Sequence, residues 1–190
     1  VKAIQKALEV SPKGITGQYN LAWYALADGD LKLAEESIRK VLDSQPSHTE
    51  AYIVKGLIKI LEGSVAEAKD AYLKMKDTGT TGPFLAGMAL ADLGFYEGRL
   101  SETIELLEQG IVDDEQKRFK DYAAEKLIML AQAFHLQGKG DNAVDAARRA
   151  LSTSQRESIK YSAAQVYIDS RLDDDAKALM RELQEQIYPE

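Results

Sequence analysis

Cysteine is absent from the 190 residues, which excludes disulfides, thiolate metal sites and cysteine nucleophiles and fits a reducing compartment. Histidine occurs only twice, at His48 and His135, in no metal-ligand spacing. His48 follows Pro46 in a loop and is expected to be solvated; His135 is expected on a helix surface. No apolar run approaches the roughly 20 residues that would span a membrane, so no membrane partner is expected. Only four prolines are present, and few segments alternate β-branched with polar residues, so strands are not expected. Basic charge is in deficit, with 24 Lys and Arg against 31 Asp and Glu, a formal net charge of −7. The densest basic stretch, Lys117, Arg118 and Lys120, lies among Asp113, Asp114, Glu115 and Asp121. It reads as a mixed-charge helix surface, and nucleic acid is not expected as a partner.

Catalytic and cofactor chemistry is equally hard to assemble. The stretch GTTGP at 79–83 lacks the lysine and spacing of a phosphate loop, and reads as a linker with proline opening a helix. The run Asp173-Asp174-Asp175 lacks the alternating oxygen ligands of a calcium loop. Nothing brings together a nucleophile, a base and an orienting group. No enzyme activity, cofactor or metal is expected.

What the chain does have is helix-forming residues in a repeated pattern. LAWYALADGDLKLAEESIRKVLDSQP, VKGLIKILEGSVAEAKDAYLKM, MALADLGFYEGRLSETIELLEQG, LAQAFHLQGKGDNAVDAARRAL and AAQVYIDSRLDDDAKALMREL share one layout. Each has a helical stretch, a turn, a small residue five positions later and a second helix. The turn residues are Gly29, Gly63, Gly98, Gly138 and Arg171, spaced by 34, 35, 40 and 33. The small residues are Ala34, Ala68, Thr103, Ala143 and Ala176. Packing residues follow: Ile38, Tyr72, Leu107, Ala147 and Met180, then Val41, Met75, Gly110, Ala150 and Leu183. Small residues let paired helices approach, glycine permits the turn, and larger residues fill the gap between units.

The pattern resembles the tetratricopeptide repeat, a helix–turn–helix unit of about 34 residues. The resemblance implies an all-α, right-handed α-solenoid, because one amphipathic hairpin cannot bury its apolar face alone. It implies a single array over residues 1–190, with repeats at 15–48, 49–82, 83–122, 123–156 and 157–190. Residues 1–12 would be the second helix of a truncated repeat, so the chain is expected to be a fragment of a longer protein. QEQIYPE shows no polar capping helix, so more protein is expected to follow it. The spacing of 40 is expected to lengthen the first helix of the fourth unit, starting near Asp113 or Asp114. Lys55 and Lys59 fall at positions that usually pack inside, where their stems would cover apolar surface and their ammonium groups stay wet.

In this family the first helices line a concave groove. The resemblance places there Tyr19, Trp23 and Leu26; Ile53, Leu57, Ile60 and Leu61; Met88, Asp92, Phe95 and Tyr96; Ile128, Gln132 and His135; and Tyr161, Gln165 and Ile168. So apolar and aromatic a list marks a partner site, or side chains that fill a tightly wound solenoid, or a face covered by another segment of the parent chain. Tyr19 and Trp23 stand where a carboxylate clamp would present lysine and asparagine, and Asn20 alone does not rebuild it. Chaperone C-terminal tails are therefore not the expected ligand; an apolar helix or extended peptide is. The function expected is that of a protein-interaction scaffold in a bacterial, cytoplasmic protein. The alternative is a structural module that self-associates or packs on other domains of its own chain. A helical-repeat RNA binder is discouraged by the acidic charge.

Overall fold

The computed structural model describes residues 14–187. The expected second helix at 1–12 lies outside them. Among the described residues there are ten α-helices and no strand. They are α1 Ile15–Ala27, α2 Leu31–Ser44, α3 Thr49–Leu61, α4 Val65–Met75, α5 Gly82–Tyr96, α6 Leu100–Gln116, α7 Lys120–Leu136, α8 Gly140–Thr153, α9 Glu157–Asp169 and α10 Asp173–Ile187. The chain divides into two compact units, Val1–Leu90 and Ala91–Glu190, with the division inside α5.

In the first unit α1 packs on α2, α2 on α3, and α3 on α4, with α1 also touching α3. The core is Ala22, Ala25, Ala34, Ile38, Val41, Ala51, Val54 and Ile58, with Ile15, Tyr19, Leu26, Leu33 and Leu42 packed against it. Alanines at the helix crossings shorten the interhelical distance, and each buried Ile or Val contributes about 1.5–3 kcal/mol relative to exposure. Where Tyr72 replaces the isoleucine-sized residue of the other repeat, the facing helix has Gly56. A Cβ at Gly56 would lie 2.1 Å from Tyr72 Cε1.

The second unit follows the same rule with different residues. α6 packs on α7, α7 on α8, α8 on α9, and α9 on α7 and α10. Ala123, Ala124, Ala131, Ala143, Ala147, Ala163 and Ala164 are all buried at these contacts. Thr103, larger than the alanine found at its equivalents, faces Gly94, where a Cβ would sit 2.1 Å from Thr103 Oγ1. Its hydroxyl donates to the Arg99 carbonyl at 2.9 Å. The packing position that shrinks to Gly110 is filled from the next helix, with the Lys126 methylenes 3.0–3.1 Å from where a Cβ would be.

The turns are uniform. Gly29, Gly63, Gly98 and Gly138 have φ between 70° and 78°, and nothing lies near the missing Cβ, so the backbone angle alone requires glycine. Arg171 holds the same turn at φ 62°. In each, an amide reaches back over the helix end, as Asp30 N–H does to the Ala25 carbonyl at 2.8 Å and Leu172 N–H to Tyr167 at 2.8 Å.

The extra residues between the third and fourth turns do not lengthen one helix from Asp113. α6 continues through Gln116, the chain turns at Arg118 with φ 62°, and α7 begins at Lys120. The expected boundary between residues 122 and 123 therefore falls within the first turn of α7. The physical reason is inside α6: Ile104, Leu107 and Ile111 continue one buried stripe, and Asp114 extends it as a buried partner for Lys126. The turn escapes a composition reading because an arginine, not a glycine, takes the left-handed position.

Two other side chains differ from expectation. Met180 does not pack inside: it is 42% exposed, while Ala176 and Leu183 carry the contact of α10 with α9. The Lys59 ammonium is not left to water. Glu35 accepts from it at 2.5 Å and Glu62 at 2.9 Å, which holds Lys59 well above the ordinary lysine range.

Candidate functional site

The first helices turn one side toward their second-helix partners and the other side outward. In the first unit that outward side begins at α1, which carries no charged residue. Ala22 and Ala25 face the core, which leaves Trp23 38% exposed. Its ring meets Tyr19 edge-on, with centroids 6.5 Å apart and an interplanar angle of 87°. Tyr19 in turn stacks on His48 at 5.1 Å. His48 is therefore half-buried rather than solvated, with Nδ1 3.3 Å from a Glu50 oxygen. This aromatic row ties α1 to the loop that leads into α3. Leu26 is half-buried against the core.

On α3, Ile53, Leu57 and Ile60 are half-buried and Leu61 is exposed. Leu57 is the repeat equivalent of Trp23, and Ile53 of Tyr19. Met88 on α5 is half-buried. Tyr24, beside Trp23, is more exposed than Trp23 itself and escaped the sequence reading. Also missed was a cleft of about 490 Å³ between α2 and α3, lined by Lys32, Glu35, Arg39, Lys55 and Lys59 among others. Lys32, Glu35 and Arg39 come from α2 and Lys55 and Lys59 from α3.

The outward side of the second unit is more polar. Asp92, Tyr96, Gln132, His135, Tyr161, Gln165 and Ile168 are exposed and Phe95 is half-buried. Ile128 does not belong to this surface. It is only 6% exposed and packs in the core, in a helix that meets α6, α8 and α9. Gln165 donates to Asp169 at 2.9 Å. Protein around Asp92 displaces enough water to push its carboxyl above the ordinary range while leaving the side chain exposed. Leu136, next to His135, is exposed and was not anticipated.

Lys126 of α7 and Lys160 of α9 are turned inward, which no sequence signal announced. Lys126 and Asp114 are each 2% exposed and form an ion pair between α7 and α6. Burial pushes the Asp114 carboxyl up, opposed by that ammonium. Lys160, equally buried, pairs with Glu182 on α10. An open cleft lies beside the Arg118 turn, where Ser154 donates to Asp121 at 2.6 Å and Arg156 to Glu125 at 3.0 Å. Among the described residues, no three His, Asp or Glu side chains converge as metal ligands would. No helix among them is long and apolar enough to cross a membrane.

Paired helices, left-handed turns and alanine-lined crossings define an all-α helical-repeat solenoid class. The tetratricopeptide-repeat family model matches residues 19–83, and solved structures of such repeats share the fold over nearly the whole chain. A tetratricopeptide repeat protein from Parabacteroides merdae is 17% identical over 98% of this chain and 71% of its own, with a TM-score of 0.68. Nearly identical tetratricopeptide-like repeats of a kinesin light chain from Podospora anserina are 18% identical over 91% and 94%, with a TM-score of 0.64. YrrB, described as a tetratricopeptide protein with an unusual peptide-binding site, is 17% identical over 99% and 93%, with a TM-score of 0.53. No curated protein matches the chain by sequence. Tetratricopeptide repeats are in general non-catalytic scaffolds for protein interaction.

Proposed function

We propose that this chain binds a segment of another protein, as a peptide or helix, on the outward side of its first helices. The observation that carries the reading is Trp23: a large aromatic ring left at the surface, braced edge-on by Tyr19, on a helix with no charge. Leaving such a ring in water costs stability, and rigid aromatic anchors are what protein interfaces use. Tyr19, Leu26, Ile53, Leu57, Ile60 and Met88 extend this surface within the first unit. In the second unit, Asp92, Phe95, Tyr96, Gln132, His135, Tyr161 and Gln165 offer a more polar one. That YrrB has a peptide-binding site supports the reading by analogy of fold.

Selection of a random 12-residue peptide library displayed on phage, against the chain and against Trp23→Glu, tests it. We expect enriched peptides whose binding to Trp23→Glu falls at least tenfold, the size of one lost anchor. No enrichment by either protein overturns the reading. Mass that rises with concentration in sedimentation, and stops rising in Trp23→Glu, would assign the surface to self-association instead.

A further inference from the structure

The second repeat breaks the pattern at two places that the proposed function leaves unused. Eight residues before the turn residue the other repeats carry Leu21, Leu90, Leu130 and Ala163, while the second carries Lys55. Four residues before it they carry Ala25, Gly94, Phe134 and Tyr167, while the second carries Lys59. Leu21, Leu130 and Ala163 are buried. Beside the two lysines lies the cleft of about 490 Å³ between α2 and α3. That is the size of a site for a small molecule, roughly 300–1,000 Å³. Its floor is apolar: Ile38 of α2 and Ile58 of α3 are no more than 2% exposed, and Leu42 is half-buried beside them. Lys55 is two residues from both Ile53 and Leu57, about 200° around a helix, so the cleft opens on another side of α3 from the proposed peptide surface.

The charges in the walls are unequally committed. Glu35 accepts from Lys59 at 2.5 Å, and Glu36 pairs at 2.9 Å with Lys40, which lies outside the cleft. Asp43 meets Arg39 only at 3.9 Å, a pair too exposed to hold either side chain. Lys32 and Lys55 form no hydrogen bond or ion pair among the described residues, and Lys55 is half-buried. Cations without a fixed partner thus stand over an apolar floor, and an anion with an apolar body satisfies both. The carboxylates in the same walls repel a second negative charge, so a carboxylate suits the cleft better than a doubly charged phosphate. We propose that this cleft binds a small organic acid, its carboxylate on Lys55 and Lys32 and its apolar body over Leu42, Ile38 and Ile58. Hydrogen bonds between ionised groups are about twice as strong as neutral ones, which lets two lysines hold the acid at the rim.

Isothermal titration calorimetry of the chain with octanoate tests it, beside acetate, which has the charge without the body, and octanol, which has the body without the charge. We expect saturable octanoate binding, at least about tenfold tighter than either, that weakens as salt is raised. Lys55→Gln keeps most of the stem, removes the charge and should weaken binding at least about tenfold. Lys55→Leu installs the residue that three other repeats carry there. It should abolish binding and melt no lower than the parent, so that lost binding is not lost fold. Lys74→Gln, at an exposed lysine of α4 outside the cleft, should bind as the parent does. Octanol binding as tightly as octanoate, no saturable binding, or binding that survives Lys55→Gln or Lys55→Leu overturns the proposal. An equal loss with Lys74→Gln also overturns it, since the overall charge of the chain would then account for the binding. Library peptides that depend on Trp23 should bind Lys55→Leu as they bind the parent, so peptide binding and acid binding stand or fall separately.

Discussion

In the first unit the lysine nearest the interior, Lys59, keeps its ammonium at the rim among Glu35 and Glu62, both reached by water. In the second unit Lys126 goes fully inside with Asp114, and its stem fills the space beside Gly110. The two solve one packing problem, the gap between neighbouring repeats, with different currencies of side chain. The first unit uses apolar volume, as with Tyr72 against Gly56, and leaves apolar residues over for its outward side. The second spends a buried ion pair on its interior and shows mainly amides, carboxylates and tyrosines outside. Both units expose aromatic rings, Trp23 and Tyr24 in the first and Tyr96 and Tyr161 in the second, so the difference between them lies in the interior.

The comparison breaks most clearly at Lys126. Lys126→Met leaves Asp114 buried without its cation and is expected to lower unfolding free energy by about 3–5 kcal/mol in urea titration. Adding Asp114→Leu should recover most of that loss, because two apolar residues need no compensation. Lys59→Met should cost about 1 kcal/mol or less, since water can solvate the glutamates it abandons. Equal losses at the two lysines would remove the distinction between rim and interior.

Next in size is Gly56→Ala in the first unit. The added methyl meets the Tyr72 ring, itself only 3% exposed and unable to swing away. Overpacking outweighs the gain in helix propensity, and thermal unfolding should report a net loss of about 1–2 kcal/mol. Gly56→Ala with Tyr72→Ile, the pairing used by Ala22 and Ile38 in the preceding repeat, should return much of it.

The smallest effect sharpens the comparison at the turns. Arg118→Gly in the second unit should raise stability by about 0.5–1 kcal/mol, because glycine takes the left-handed angle without strain. The gain is reduced by the greater freedom of glycine in the unfolded chain. Circular dichroism melts of Arg118→Gly beside the parent chain would read it, and a loss of stability would mean that the arginine side chain holds the turn.

Much of this was legible in the residues themselves. Helix pairs, glycine turns at 29, 63, 98 and 138, and the buried small residues five positions beyond them (Ala34, Ala68, Thr103 and Ala143) follow from local rules: a left-handed angle favours glycine, and a close helix crossing favours a small side chain. Arg171 was readable as a turn only because the repeat spacing put it there. Arg118 was not, since neither residue type nor spacing marks it, and so the boundary between α6 and α7 was misplaced. The outward positions were readable as a list, but their exposure was not: Ile128 fits the pattern and yet is covered, while Tyr24 and Leu136 sit off the pattern and are bare.

Sequence alone therefore determined the repeat, its helices and the identity of its small crossing residues, because those depend on interactions a few residues apart. The tertiary structure decided which lysines are buried, which carboxylates meet them and which aromatic rings face water. These depend on neighbours brought from other helices, as Asp114 is to Lys126 and Glu182 to Lys160. A charge has no helical period to announce whether a partner will be there to meet it.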